Sequence, residues 1–206
     1  EFRQFDVSKL DATHRLSYRI WEQRNLNEIE DFKYRYHYYP VNQMFGVQSD
    51  LPRFMINMHR VDSKSDAEAY ISRLNGFKKK FSQVVERLEA SAKIGVIPPK
   101  FVFPKVIEDG RNVICGQPFD ESSKLSQLLE DFEKKLKALK VKDSEKQKLI
   151  AEAKEALKTS VGPGYQHLIA YMQKLEKKAD DRAGVWKFPD GENYYKNRLK
   201  RITTTD

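Results

Sequence analysis

Between Ser65 and Gly95 the chain reads SDAEAYISRLNGFKKKFSQVVERLEASAKIG, with no proline to interrupt it. Tyr70, Ile71, Leu74, Phe77, Phe81, Val84, Val85 and Leu88 recur at helical spacing, which places them on one face. Ser65 and Glu68 match a capping box, in which hydroxyl and carboxylate satisfy two backbone N–H groups reciprocally. Gly95, with Pro98 and Pro99 beyond it, makes a stop. A helix of this extent is about 45 Å long. Gly76 inside it marks a bend or a close helix crossing. Lys78, Lys79 and Lys80 read as its hydrated outer face.

The other segments share the helical period. Leu16, Ile20, Leu26, Ile29, Phe32 and Tyr36 predict a helix through the first forty residues, interrupted near Asn27 and ended by Pro40. Tyr34, Tyr36, Tyr38 and Tyr39 form either a packing seam or a ligand-stacking surface. Residues 40–63 are a connection punctuated by Pro40, Gly46 and Pro52, in which Phe54–Met58 predict a short buried helix. Phe101–Ile107 leans helical because Pro104 opposes a central strand, with Gly110 or Gly116 near its end. From Ser122, Leu125, Leu128, Leu129, Phe132, Leu136 and Leu139 line a second long helix. Ser144 and Gln147 offer a capping box for the next. Val161–Gly164 stops that one, and Pro163 opens a last helix through Tyr165, Leu168, Ile169, Met172 and Leu175. Short loops imply antiparallel neighbours. No strand–helix–strand rhythm appears, so the fold class is all-α: an irregular antiparallel helical bundle with long helices. It divides into 1–60 (helix plus connection), 61–120 (long helix and proline-rich connector) and 121–206 (helical hairpins and connector), within a single helical region.

The 206 residues suffice for a sizeable core, and 12 Phe with 10 Tyr supply bulky material for it. A formal net charge of +8 invites a nucleic-acid reading, but basic and acidic residues interleave as on solvated helices, so no specific nucleic-acid partner is expected. One cysteine, Cys115, excludes an internal disulfide and a thiolate cluster; a buried small hydrophobe is its expected role. No apolar run reaches membrane-spanning length and no signal peptide is visible. The chain does not open with Met, which fits a mature or trimmed form.

Catalytic patterns are missing. His14, His37, His59 and His167 show no four-residue pairing of the kind zinc peptidase helices use, and each reads as a local hydrogen-bonder, although His37 and His59 have room to meet in space. There is no nucleophile elbow, phosphate loop or calcium loop. The residue calls are therefore no catalytic group and no metal ligand, with no cofactor bound by these residues.

Three stretches resemble one family: YPVNQMFGVQSDLPRFMINMHRVDSKSDAEAYISRLNGFKKKF, IGVIPPKFVFPKVI, and the run from VGPGYQHLIAYMQ to the terminal ITTTD. Together they are similar to the N-terminal part of the bacterial domain-of-unknown-function 885 family, from about residue 10 onward. The resemblance implies a large, almost wholly helical parent that is exported, periplasmic or outer-membrane-anchored as a lipoprotein in a Gram-negative bacterium. Any membrane contact would come through a lipid anchor outside this chain. It implies a zinc-dependent peptidase or hydrolase acting on a peptide or small-molecule substrate. Its candidate active-site helix, a His-Glu pair followed by further histidines around Pro-Gly, has no match here. These residues are then a non-catalytic fragment, zinc belongs to the full-length parent, and the partner is the remaining C-terminal part of the same protein. The alternative is a helical binding or structural module with no hydrolase activity. His59, Arg60, Asn193, Tyr194 and Tyr195 are the candidates for a cleft or interface, because aromatic and arginine side chains anchor interfaces. The closing ITTTD reads as a connector, with Thr203–Asp206 capping a further helix.

Overall fold

The computed structural model describes residue 4 and residues 6–204. Two compact units divide the chain: residues 1–38 with 184–206, and Tyr39–Ala183. The described residues are helical, with two isolated β-bridges, Val41–Gly46 and Gln117–Leu125, and no sheet.

The larger unit is built along the predicted long helix. Helix α3 spans Lys64–Lys93, 30 residues, and all eight stripe residues are buried. Its capping box is real but starts two residues earlier than Ser65. The Ser63 hydroxyl accepts from the Asp66 N–H at 3.2 Å, and the Asp66 carboxylate accepts from the Ser63 N–H at 2.9 Å. Ser65 already lies in the first turn.

Three segments cover the stripe in succession: α6 (Asp143–Ala156), a π turn (Leu157–Val161) and α7 (Gly162–Glu176), which form one unbroken helical path. Val161–Gly164 therefore does not stop the helix. Pro163 has no N–H to return to the preceding turn, and the widened π turn takes up the misfit. Nor do Ser144 and Gln147 form a cap; α6 begins at Asp143 without a side-chain cap bond. The path runs in the same direction as α3. Lys64 pairs with Glu145 at 3.0 Å near both starts. In the middle, Ser160 Oγ donates to the Asn75 carbonyl at 2.8 Å and accepts from the Lys78 N–H at 3.1 Å.

The close crossing expected at Gly76 is made by Gly164 instead. A Cβ on Gly76 would meet nothing within 4 Å, whereas one on Gly164 would lie 3.0 Å from the Phe81 ring and 3.3 Å from Lys78 Cα. α4 (Val102–Val113) packs on α7 in the opposite direction. Its Gly110 lies against Tyr165 and Ile169, and Pro104 lies beside Gln173 and Glu176. α5 (Gln127–Lys137) turns back into α6 over residues 138–142. Gly116, at φ +88°, follows the end of α4 as the sequence suggests. Cys115 beside it is exposed, a correction to its expected burial: it lies beyond the helix end, in a turn that the Asp120 carboxylate ties by accepting from the Gly116 N–H at 2.7 Å.

In the smaller unit α1 spans Ala12–Asp31, continues as a 3-10 turn over Phe32–Tyr34, and passes through Asn27 without a break. No α1 residue is buried. At about 100° per residue, Leu16 and Ile20 fall on one side and Ile29 and Phe32 on the opposite one, so no common stripe exists. Helix α8 spans Gly191–Thr203. Asp31 accepts from Asn197 Nδ2 at 2.9 Å and pairs with Arg198 at 2.8 Å and Arg201 at 3.0 Å. Tyr34, His37, Phe188 and Tyr194 gather as rings 5.1–6.1 Å apart. That answers the tyrosine question in favour of packing at Tyr34. Thr203 is the last residue of α8; Thr205 and Asp206 of the expected cap lie outside the described residues.

Candidate functional site

The apolar connection of residues 40–63 is a side-chain-locked turn and helix. The Asn42 side chain accepts from the Met44 and Phe45 N–H groups at 2.9 and 2.8 Å, folding the chain back on itself. Backbone bonds from Asn42 to the Phe45 carbonyl (3.0 Å) and from Val47 to the Pro40 carbonyl (3.1 Å) close the turn. Gly46 at φ +135° ends it. A Cβ there would come within 2.8 Å of Val41 Cα and 2.9 Å of the Pro40 oxygen, so glycine is required both by conformation and by space.

Helix α2 follows, Val47–Asn57. Pro52 lies inside it and cannot donate to the carbonyl of Gln48, four residues earlier. That carbonyl accepts instead from the Tyr165 hydroxyl of α7, at 2.5 Å. Burial pushes the Tyr165 hydroxyl far above its ordinary pKa, so it remains a donor. The Gln48 side chain is itself fully buried, and its Nε2 donates to the Asn42 carbonyl at 2.8 Å, tying helix to turn.

The last turn of α2 is held from α5. Lys135 Nζ donates to the Met55 and Ile56 carbonyls at 2.8 and 2.9 Å and to the Asp131 carboxylate at 2.7 Å. All three ammonium protons thus have acceptors, which makes a mostly buried lysine tolerable. Tyr70 adds a hydroxyl 3.2 Å from the same carboxylate. Only Met55 of the Phe54–Met58 group is fully buried. Phe54 is 45% and Met58 69% exposed, because α2 rests on the unit by one side alone. The turn points its apolar tip outward too: Met44 is 67% and Phe45 60% exposed. Beside it runs an open cleft of about 400 Å³ with a mixed lining, Gln43, Gln48, Arg53 and Asp109 together with Met44 and Ile56.

His59, a nominated residue, closes this assembly. Its Nε2–H donates to the Asp66 carbonyl at 3.0 Å, which leaves Nδ1 as the acceptor for Arg73. Burial first, then the Arg73 and Lys135 charges, hold its pKa below the ordinary histidine value against the contrary pull of the Asp66 contact. Arg60, next to it, is exposed and pairs with Asp62 at 2.9 Å. Asn193, Tyr194 and Tyr195 belong to the smaller unit. Asn193 Nδ2 donates to Asp190 at 2.6 Å, Tyr194 joins the aromatic group, and Tyr195 is 53% exposed. His37, by its bond to the Pro189 carbonyl at 3.0 Å, is a local hydrogen-bonder like His59.

Asn42, Gln48, Tyr165 and Lys135 were not nominated from sequence. One signal was available: a proline at position 52 orphans the carbonyl at 48, which demands a donor from elsewhere. Among the described residues no group of three or more His, Cys, Asp or Glu side chains converges as a metal site, and no helix is long and apolar enough to cross a membrane.

What these features define is an all-helical module in which the Gln48, His59, Lys135 and Tyr165 side chains donate to its own backbone carbonyls. The family model described as bacterial protein of unknown function, DUF885, matches residues 1–206, and the chain belongs to that family. The comparison with curated proteins gives no match. The fold is similar to that of a protein from Colwellia psychrerythraea described as a "putative lipoprotein", with a TM-score of 0.73 and 24% identity over 81% of this chain. The match spans only 28% of that solved chain.

Proposed function

We propose that the chain serves as a helical binding or structural module of a longer, exported polypeptide, and that it contributes surface and support but no reacting groups. The observation that carries this is the commitment of Tyr165, Lys135, Asp131 and His59 to backbone carbonyls or to each other in the larger unit. A catalytic group needs a free valence directed at substrate. The small share of the Colwellia protein that is matched supports a longer polypeptide, and that protein's description supports export, with a periplasmic or lipid-anchored location.

A zinc-dependent peptidase or hydrolase activity of the longer polypeptide is the second reading, and it rests on the family resemblance. Its metal ligands would lie in other chain, and its partner would be that remaining chain. Zinc analysis and a peptide-library cleavage assay on this chain and on the longer protein test both. The module reading expects no hydrolysis by this chain. Hydrolysis by these 206 residues alone, lost on chelation, would contradict it. A longer protein that binds no metal and cleaves nothing removes the second reading.

A further inference from the structure

We propose that Arg73 is an acid-released strap: protonation of His59 at Nδ1 frees the Arg73 guanidinium from the end of α2 while the rest of the larger unit stays closed. The imidazole is 5% exposed, and both of its nitrogens are engaged. One contact is with the Asp66 carbonyl, in the first turn of α3, at 3.0 Å. A carbonyl only accepts, so this bond puts the proton on Nε2 and leaves Nδ1 with its lone pair. Arg73 offers only N–H donors, and Nη1 donates to that lone pair. The same guanidinium lies over the Phe54 ring, 5.4 Å from its centroid. Arg73 thus reaches from α3 across the last turn of α2 and onto the histidine that follows it.

A second ring proton reverses one contact and spares the other. Nδ1–H and the guanidinium N–H are both donors on cations, so they repel, whereas Nε2–H keeps the Asp66 carbonyl. The surrounding charges decide which group yields. From α3 the ring meets Arg73, the Asp66 carboxylate and the Tyr70 ring, whose centroid is 5.0 Å away. From α5 it meets Lys135, which is paired with Asp131. Beside it in the chain, Arg60 and Asp62 pair with each other. Lys135 is held by the Met55 and Ile56 carbonyls and by Asp131, so it stays. Arg73 is exposed and has no carboxylate partner among the described residues, so it is the cation free to move into water. The Ser63 hydroxyl holds the Asp66 carboxyl below its ordinary value, which keeps that carboxylate charged while the histidine titrates. Burial, with the Arg73 and Lys135 charges, sets the His59 titration below the ordinary histidine value. The strap is therefore closed at neutral pH and opens on acidification.

Side-chain NMR of this chain reads the strap directly. Slow rotation about the Arg73 Cζ–Nε bond marks a held guanidinium, and the His59 ring resonances mark the proton. In a titration from about pH 7.5 to about pH 4.5, rotation is expected to quicken about tenfold in step with His59, with amide protection along α3 unchanged. Arg73→Gln removes a repelling charge and is expected to move the His59 titration upward. Rotation that stays slow after His59 has titrated overturns the strap. So does a His59 titration that Arg73→Gln leaves in place. Loss of α3 protection at the same pH makes the change a general opening and overturns it too. His59→Phe gives a second variant, with a ring but no titrating nitrogen. Its Arg73 is expected to rotate fast at every pH, and an acid-dependent change that persists there overturns the proposal.

Discussion

Tyr165 shows how a single hydroxyl can replace a helix bond. Pro52 removes the donor for the Gln48 carbonyl, and the Tyr165 hydroxyl supplies another. Tyr165→Phe keeps the ring and its contact with Phe81 but leaves a buried carbonyl unpaired, so urea unfolding is expected to show a loss of about 1–3 kcal/mol. A loss near zero means that the carbonyl finds water. Half of this pairing is legible in sequence: a proline announces the orphan, but nothing local names a tyrosine 113 residues on as the donor. His59 gives a pH signature. Its folded pKa lies below its unfolded value, so its contribution is fully present above the unfolded pKa of about 6.5 and is lost as pH falls through the folded one. Stability is therefore expected to fall on acidification from neutral pH, and His59→Gln is expected to shallow that fall. Parallel pH profiles for the two proteins would remove His59 as a contributor.

Among the elements, α3 was the most readable because its stripe and its polar face separate cleanly. The cap was displaced by two residues because Ser63–Asp66 and Ser65–Glu68 overlap in pattern, and only the former occupies the turn before the helix. Val161–Gly164 misled for a physical reason. Proline and glycine usually end a helix, but here a π turn widens the path and α7 continues. The two glycines at this junction separate space from flexibility. Gly76→Ala, which meets nothing, is expected to stabilise by about 0.5–1 kcal/mol. Gly164→Ala, pressed on Phe81 and the Lys78 backbone, is expected to destabilise by about 1–3 kcal/mol. Thermal melts of both variants check the contrast, and equal signs would place the crossing wrongly.

At the scale of the whole molecule the all-helical class was legible, since helical period runs throughout and no βαβ rhythm competes. The site was not. Its residues matter through pairings that join α2 to α5 and α7 across many residues of sequence, and the nominated His59 and Arg60 fall to opposite roles, one bonded inside and one at the surface. The apolar spacings of the first forty residues predict a helix and α1 forms there, but its apolar residues spread around the axis and none of α1 is buried.

The account turns on residues 40–57 being locked by side chains from α5 and α7. Amide hydrogen exchange of this chain measures that directly. The predicted result is slow exchange at Phe45, Val47 and Asp50, comparable with the centre of α3, with release of the α2 amides in Tyr165→Phe. Exchange of those amides at the rate of an unstructured loop, unchanged by the substitution, would contradict it.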